Sequence, residues 1–193
     1  MATTPKLDAR QLHQAIESVA AAISRRHARP ANLLLLGIAN GGIVLARRLA
    51  ALLKADGRLP ASGTLDISFH RDDIGRNPIP KEFAHSMIPQ DVNGATIILV
   101  DDVLHTGRTL KAALDELFDH GRPARVELAV LVDRGGRKLP FAPDYCGLKL
   151  DVQGSEKVRV HLDEKYPAKD SITIGATARL AVDRKSEIVN LKS

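Results

Sequence analysis

Short apolar runs alternate along this chain with longer stretches in which apolar residues recur every three or four positions. The short runs predict buried strands at 33–38, 95–100 and 125–132, and residues 64–69 are predicted as a further strand. The spaced stretches predict three amphipathic helices, whose inward faces are Leu12, Ile16, Val19, Ala20 and Ile23, then Ile43, Ala46, Leu49, Ala50 and Leu53, then Leu110, Ala113, Leu114, Leu117 and Phe118. This order favours an α/β fold with a twisted, mostly parallel sheet and helices on both faces.

The regions between and after these elements are less regular. Residues 70–89 form a long polar connection with three prolines, which predicts a functional lid. Residues 157–162 alternate between polar and apolar side chains, as an edge strand does. We expect residues 1–193 to form a single domain, and the C-terminal stretch 172–193 carries no pattern that assigns it a role.

The segment with the most chemical information joins the strand 95–100 to the third helix. Asp101 and Asp102 come directly after that strand, and the turn 106–109 comes directly before the helix. A helix N-terminus offers free N–H groups and a positive dipole end to a phosphate, and Gly107 lets the backbone approach it closely. Two carboxylates at a strand end can accept hydrogen bonds from ribose hydroxyls. The spacing therefore favours a sugar-phosphate site over a pair of solvated loop acids.

A strand, two acids and a Thr-Gly turn make residues 97–109 similar to the phosphoribosyl-pyrophosphate (PRPP) motif of type I phosphoribosyltransferases. The likeness continues through 67–73, 121–124, 131–135, 139–140, 144–145 and 156–158. Over about residues 8–165 the chain resembles the bifunctional pyrimidine operon attenuation regulator/uracil phosphoribosyltransferase family. That resemblance implies a type I phosphoribosyltransferase fold and a homo-oligomer. It also implies a small hood over the base, formed mainly by about 139–165 and part of the N-terminus.

The resemblance implies an enzyme that makes UMP and pyrophosphate from uracil and PRPP. Mg²⁺ would enter with PRPP, without a direct protein ligand. Asp101 and Asp102 would orient the ribose, and Arg71 of the predicted lid is the third catalytic candidate. The expected PRPP and 5′-phosphate contacts are Asp101, Asp102, Val103, Leu104, His105, Thr106, Gly107, Arg108 and Thr109. The expected base contacts are Arg134, Arg137 and the main chain near Val158.

Two places depart from the family pattern. The pyrophosphate loop commonly has a basic residue and then Thr-Arg-Gly, whereas this chain has Ala39, Asn40, Gly41 and Gly42. A charged donor to a phosphate contributes about 1.5–3 kcal/mol, so we expect weaker PRPP binding or turnover unless Arg47, Arg48, Arg71 or Lys81 compensates. Near the base, Gly136 and Lys138 stand where the family often has His and Glu.

Composition narrows the class of protein without naming it. At 193 residues and 44% hydrophobic, the chain can bury one sizeable core. No run is apolar enough to span a membrane and the N-terminus lacks a signal-peptide core, so we expect a cytoplasmic protein. The single cysteine excludes an internal disulfide framework.

A second hypothesis comes from charge. The net charge of +5 is compatible with binding polyphosphates or RNA. Arg25, Arg26 and Arg29 form a basic cluster at the end of the first helix, where they either contact the leader RNA of pyrimidine genes or only complement the helix dipole. A regulator with little catalytic activity, or a transferase for another base such as hypoxanthine, remains an open alternative, because the PRPP motif does not specify the acceptor.

Overall fold

The predicted sheet is present and consists of parallel strands. The computed structural model describes residues 7–27, 33–53, 60–70, 85–152 and 156–175. Its main strands are β1 (Leu33–Ile38), β2 (Ala61–Leu65), β3 (Thr96–Leu104), β4 (Arg125–Asp133) and β5 (Tyr145–Lys149). They pair in the order β2-β1-β3-β4-β5, and every pairing is parallel. The main helices are α1 (Ala9–Arg26), α2 (Ala39–Leu52) and α3 (Arg108–His120).

The helices cover both faces of the sheet, because successive strand residues point to opposite sides. Leu33 and Leu35 of β1 pack with α1 and α2, whereas Leu34 and Leu36 of the same strand pack with α3. The continuous apolar runs seen in the sequence are the consequence of this double coverage. The α/β fold expected from the sequence is therefore confirmed.

The strand boundaries differ from the predicted ones in two ways. β3 continues past Val100 to Leu104, so the acid pair lies inside the strand rather than beyond its end. β2 occupies Ala61–Leu65 instead of 64–69, because the chain leaves the sheet after Leu65 even though Ile67 is buried. None of the helices in the described ranges combines the length and hydrophobicity needed to cross a bilayer.

A small second sheet lies on the face covered by α1 and α2. Its strands β6 (Lys157–His161) and β7 (Ser171–Gly175) are antiparallel, and a 3₁₀ turn at Pro167–Lys169 lies between them. Leu7 forms an isolated bridge with Ile172, so the N-terminus joins this unit. We call β6, the turn and β7 the hood. The expected hood boundary at about residue 139 was wrong, because β5 pairs with β4 and belongs to the main sheet.

A buried ion pair fastens the hood to α2. The Arg48 guanidinium binds both carboxylate oxygens of Asp170 and the carbonyl of Asp163. Asp170 also accepts the backbone N–H of Asp163 at 2.9 Å, and its side chain is only 1% exposed. A neighbouring pair, Arg47 with Glu164 at 2.8 Å, is 60% exposed on each side. The first pair is thus buried and the second is a surface contact between the same two elements.

A second buried polar cluster holds the end of α1 against the sheet. The Tyr145 hydroxyl donates to Glu127 Oε2 at 2.6 Å, and His27 Nε2 lies 2.7 Å from the same oxygen. Arg26 Nε is 3.1 Å from Glu127 Oε1, an ionic contact without hydrogen-bond alignment. Burial opposes ionisation of Glu127, but the hydrogen bonds from Tyr145 and His27 and the charge of Arg26 outweigh it and lower its pKa. Arg26 therefore has a structural role through its ionic contact with Glu127.

Removing the Asp170 charge tests how strongly the hood depends on Arg48. Asp170→Asn leaves a guanidinium that is mostly buried without its counterion, so we expect the free energy of unfolding to fall by about 3 kcal/mol. Glu164→Gln, which breaks the exposed pair between the same elements, should cost less than about 1 kcal/mol. Urea unfolding followed by circular dichroism measures both. Equal losses for the two variants would contradict a special role for the buried pair.

Candidate functional site

The predicted site residues meet at the carboxyl edge of the main sheet. Leu104 of β3 pairs with Asp133 at the end of β4, and the Arg134 N–H donates to the Leu104 carbonyl at 3.1 Å. On the other side, Gly41 in the first turn of α2 packs directly on the Asp102 side chain. The acid pair therefore lies between the ends of β1 and β4, as expected for a ligand site in a parallel sheet.

The two acids are packed closely together. Asp101 is 7% exposed, and its Oδ1 accepts the Asp102 backbone N–H at 2.9 Å. Burial, followed by the neighbouring charge of Asp102, holds the pKa of Asp101 well above its usual value. Burial also raises the pKa of Asp102. Two carboxyls in this state gain from any ligand that donates hydrogen bonds or carries a cation to them.

The pair also has the donor chemistry that Mg²⁺ prefers, namely hard carboxylate oxygens. Burial, rather than a neighbouring cation, dominates the pKa of both groups. A cation that arrives with a ligand would stabilise their ionised forms. The residues present therefore fit a metal ion that is bound mainly by the ligand and faces Asp101 and Asp102.

The turn after β3 has the shape of an anion cradle. Gly107 caps α3 with a left-handed backbone (φ 91°), and the first helical hydrogen bond runs from the Lys111 N–H to the Gly107 carbonyl at 2.9 Å. The Arg108 N–H donates to Thr106 Oγ1 at 3.3 Å. A Cβ at position 107 would lie 2.9 Å from Phe141 Cδ2, so only glycine fits both the backbone and the space. The predicted helix N-terminus is present where the sequence placed it.

Arg137 braces this turn from the adjacent loop. Its guanidinium donates to the carbonyls of His105 at 2.7 Å, Leu104 at 3.2 Å and Phe141 at 3.1 Å, and pairs with Asp133 at 2.7 Å. These bonds occupy the donors with which Arg137 was expected to contact a base. The geometry therefore supports a positioning role, in which Arg137 fixes the phosphate turn against the end of β4.

Arg134 and His105 face each other beside the turn. Arg134 is 9% exposed, and its Nε has no hydrogen-bond partner among the described residues. Burial, and then the charges of Arg134, Arg137 and Lys138, lower the pKa of His105. His105 Nε2 lies 2.9 Å from the position that a Cβ would occupy at residue 136, so a side chain there would collide with the imidazole. An unpartnered buried N–H makes Arg134 the better candidate for a ligand contact.

The expected pyrophosphate loop is the first turn of α2. Ala39 adopts a left-handed backbone (φ 50°), a conformation that costs a non-glycine residue about 1–2 kcal/mol. Gly41 and Gly42 pack against the Asp102 side chain and the Val100 carbonyl. The side chain of Asn40 lies outside the described residues. A side chain at position 41 would meet Asp102 Cγ at 2.5 Å, so the turn holds backbone N–H groups, not side-chain cations, against the acid pair.

Arg47 and Arg48 were possible compensating cations, and both guanidinium groups bind acids of the hood in this structure. Arg71 and Lys81 lie outside the described residues, as does Arg29 of the basic cluster.

Val158, the expected main-chain base contact, lies in β6 and packs on the core, as does Val103. A pocket of about 420 Å³ between α2 and the hood reaches Gly41 and Arg47, next to the acid pair.

Sequence reasoning missed the residues that support the site. The bond between Arg48 and Asp170 joins positions 122 residues apart, and the five-residue strand β5 contains a glycine and no strong apolar run. Neither the Arg48–Asp170 pair nor β5 is marked by a local sequence pattern. Arg134 was already predicted as a base contact, and Glu127 carried a signal that was not used, because it interrupts an apolar run.

Comparisons with known proteins agree with this geometry. The phosphoribosyl transferase domain model matches residues 7–165. The "Bifunctional protein PyrR" of Roseiflexus sp. (strain RS-1) is 44% identical over 173 residues, which cover 89% of this chain and 94% of that protein. The "Bifunctional protein PyrR 1" of Lactiplantibacillus plantarum is 43% identical over 171 residues, covering 87% and 94%.

Solved structures are similar at the level of the fold. A hypoxanthine-guanine phosphoribosyltransferase from Bacillus anthracis has a TM-score of 0.65 and 20% identity, and the match covers 91% of this chain and 100% of that one. A hypoxanthine phosphoribosyltransferase from Trypanosoma cruzi, in complex with IMP, has a TM-score of 0.58 and 21% identity, with 77% of each chain covered. Because the family match runs through the sheet, the acid pair and the turn that caps α3, this chain belongs to the type I phosphoribosyltransferases, in the family of bifunctional pyrimidine operon attenuation regulators and uracil phosphoribosyltransferases.

Proposed function

We propose that this protein binds PRPP and UMP at the carboxyl edge of the sheet and transfers phosphoribose to uracil. The observation that carries the proposal is the adjacent pair of buried Asp101 and half-buried Asp102, which precedes the glycine-capped N-terminus of α3. This arrangement provides acceptors for ribose hydroxyls and donors for a 5′-phosphate within a single chain segment. Relatives that are 41–44% identical over most of this chain carry a name that declares two functions.

The chain's own groups would act on the sugar and its two phosphate ends. The first turn of α3 binds the 5′-phosphate, and Asp101 and Asp102 accept hydrogen bonds from the ribose hydroxyls. Their negative field favours the positive charge that builds on the ribose ring as pyrophosphate leaves. Mg²⁺, bound to PRPP, would neutralise the leaving group. Arg134, with its unpartnered buried Nε, and the main chain near Val158 are the proposed base contacts.

A second candidate function is a nucleotide-binding regulator with little catalytic activity. It is favoured by the first turn of α2, where no cation replaces the family's basic residues and where Arg47 and Arg48 bind the hood instead. Cationic side chains are absent from this turn, so its backbone N–H groups would be its main donors to the pyrophosphate. UMP lacks the pyrophosphate group, so the missing basic residues weaken turnover more than they weaken UMP binding. The protein can therefore sense UMP even where catalysis is slow.

Regulation would act on RNA. Arg25 is exposed at the end of α1, whereas Arg26 is bound to Glu127 and Asp144 and contributes less to an RNA surface. We propose that the leader RNA of pyrimidine genes binds around Arg25 in a UMP-dependent way. We further propose a cytoplasmic location, as expected from the sequence, and a homo-oligomeric state, as implied by the family resemblance.

Neutralising the acid pair tests the catalytic role. Asp101→Asn with Asp102→Asn preserves the shape of the strand, so we expect an intact fold and a loss in kcat/KM for PRPP of at least about 100-fold. The assay follows PRPP-dependent conversion of uracil, hypoxanthine, guanine and orotate side by side, which also identifies the base. Asp115→Asn on the surface of α3 is the matched loss of an acid and should have no effect. Wild-type turnover in the double variant would refute the ribose role, and no turnover in the wild-type protein would favour the regulator.

The phosphate turn can be tested by a pair of glycine variants. Gly107→Val should weaken UMP binding at least about tenfold and uridine binding much less, because its side chain collides with Phe141 and distorts the cradle. Gly94→Val imposes similar backbone strain at φ 70°, in open space away from the site, and should leave UMP affinity unchanged. Calorimetry measures both ligands. If the wild type bound UMP and uridine equally well, the turn would not be a phosphate site.

The RNA hypothesis predicts a salt dependence carried by Arg25. Arg25→Gln should flatten the plot of log affinity against log salt by about 0.7–0.9, the value of one phosphate contact, while uracil transfer stays unchanged. Lys111→Gln, on α3, removes one positive charge elsewhere and serves as the control. Filter binding compares pyrimidine leader RNA with a scrambled RNA, with and without UMP. Equal affinity for both RNAs, indifferent to UMP, would refute regulation.

A further inference from the structure

Three potential metal ligands meet where the turn after β2 contacts the last turns of α3. His70 Nε2 lies 3.2 Å from Glu116 Oε2 and 3.4 Å from Asp119 Oδ2. The three ligand atoms all lie within 4.8 Å of one another. Glu116 is nine residues past Gly107, which places the group about 14 Å along the helix axis from the phosphate turn. This cluster is therefore separate from the acid pair.

The two distances from His70 Nε2 to the carboxylate oxygens match the edge length of a tetrahedral metal site. Zn²⁺ binds imidazole nitrogen and carboxylate oxygen at about 2.0–2.1 Å, so two ligand atoms on one tetrahedron are about 3.3 Å apart. The distances of 3.2 and 3.4 Å from His70 Nε2 agree with that edge length. The imidazole favours an ion such as Zn²⁺ over Mg²⁺ or Ca²⁺, which prefer oxygen ligands throughout.

Neighbouring groups hold Glu116 in the orientation that a metal site needs. Ser86 Oγ donates to Glu116 Oε1 at 2.6 Å, and His120 Nε2 lies 3.1 Å from the same oxygen. These contacts occupy Oε1 and leave Oε2 directed towards His70. Glu116 is 16% exposed and His70 is 25% exposed, whereas Asp119 is 71% exposed and gives an ion access from solvent. Outer contacts that fix a ligand carboxylate are a regular feature of metal sites.

We propose that His70, Glu116 and Asp119 bind one divalent transition-metal ion of the Zn²⁺ class, with water in the fourth position. Ser86 and His120 are positioning residues that act through Glu116. His70 and Ser86 stand on either side of residues 71–84, so the ion would fasten both ends of this connection to α3. This role is structural and does not depend on the transferase activity.

The experiment is a titration of the chelator-treated full-length protein with Zn²⁺ alone, measured by calorimetry. Co²⁺ is then used as a spectroscopic substitute, because a tetrahedral site gives intense visible absorption. We expect one ion per chain, an affinity at least about 100-fold lower for His70→Ala, and one about tenfold lower for His120→Gln. Circular dichroism without metal verifies that each variant is folded.

His13 provides the matched control. Its Nε2 pairs with Glu17 at 3.2 Å, which reproduces the histidine–carboxylate contact without a third ligand. His13→Gln should leave Zn²⁺ affinity unchanged. Asp119→Asn is the second test of the site, because it alters an exposed ligand with little risk to the fold, and it should weaken binding at least about tenfold. Equal Zn²⁺ affinity in the wild type, His70→Ala and Asp119→Asn, or no binding by the wild type, would overturn the proposal.

Discussion

The adjacent carboxyl groups of Asp101 and Asp102 are the constraint on which the rest of the site depends. Both lie within β3, where Asp101 is buried and pairs with Val130 of β4, and the half-buried Asp102 side chain packs on Gly41. Burial and the neighbouring charge of Asp102 raise the pKa of Asp101, so its surroundings stabilise the ionised form poorly. Under the proposed function, ribose hydroxyls and a cation brought by the ligand would offset that cost. The proposed affinity for a sugar phosphate would then arise partly from the poor solvation of the two carboxylates.

The positions around the pair show how backbone can substitute for side chains. Gly41 and Gly42 bring the first turn of α2 against Asp102 and Val100, whereas Gly107 lets the turn that begins α3 pack against Phe141 and Leu139. Both flanks of the acid pair are helix N-termini, whose dipoles favour negative charge. This common electrostatic design gives the site an affinity for anions even though the family's basic residues are missing from the first loop. The helix dipoles cannot replace the full effect of the missing basic residues, because a guanidinium carries a whole charge and a helix end only about half of one.

The sequence was sufficient for the parts of the fold that depend on local pattern. Doubly buried strands such as Leu33–Ile38 leave continuous apolar runs, and α3 shows helical spacing after a glycine cap, so both were predicted correctly. The hood boundary failed because Tyr145–Lys149 is too short to show periodicity and gains its place only by pairing with β4. The partners of Arg47, Arg48 and Arg137 could not be predicted for a related reason. A cation near a phosphate motif can equally bind a carbonyl or an acid from a distant segment, and only the three-dimensional structure distinguishes these partners.

Helix α2 is a rigid connection between the hood and the carboxyl edge of the sheet, where the acid pair lies. Gly41 near its start packs on Asp102, and Arg48, about 10 Å further along the helix, binds Asp170 in the hood. An α-helix of two turns does not stretch, so displacement of the hood and displacement of the first turn are mechanically linked. The hood and the first turn of α2 are therefore parts of one rigid connection, and under the proposed function this connection would couple ligand binding beside Asp102 to the position of the hood.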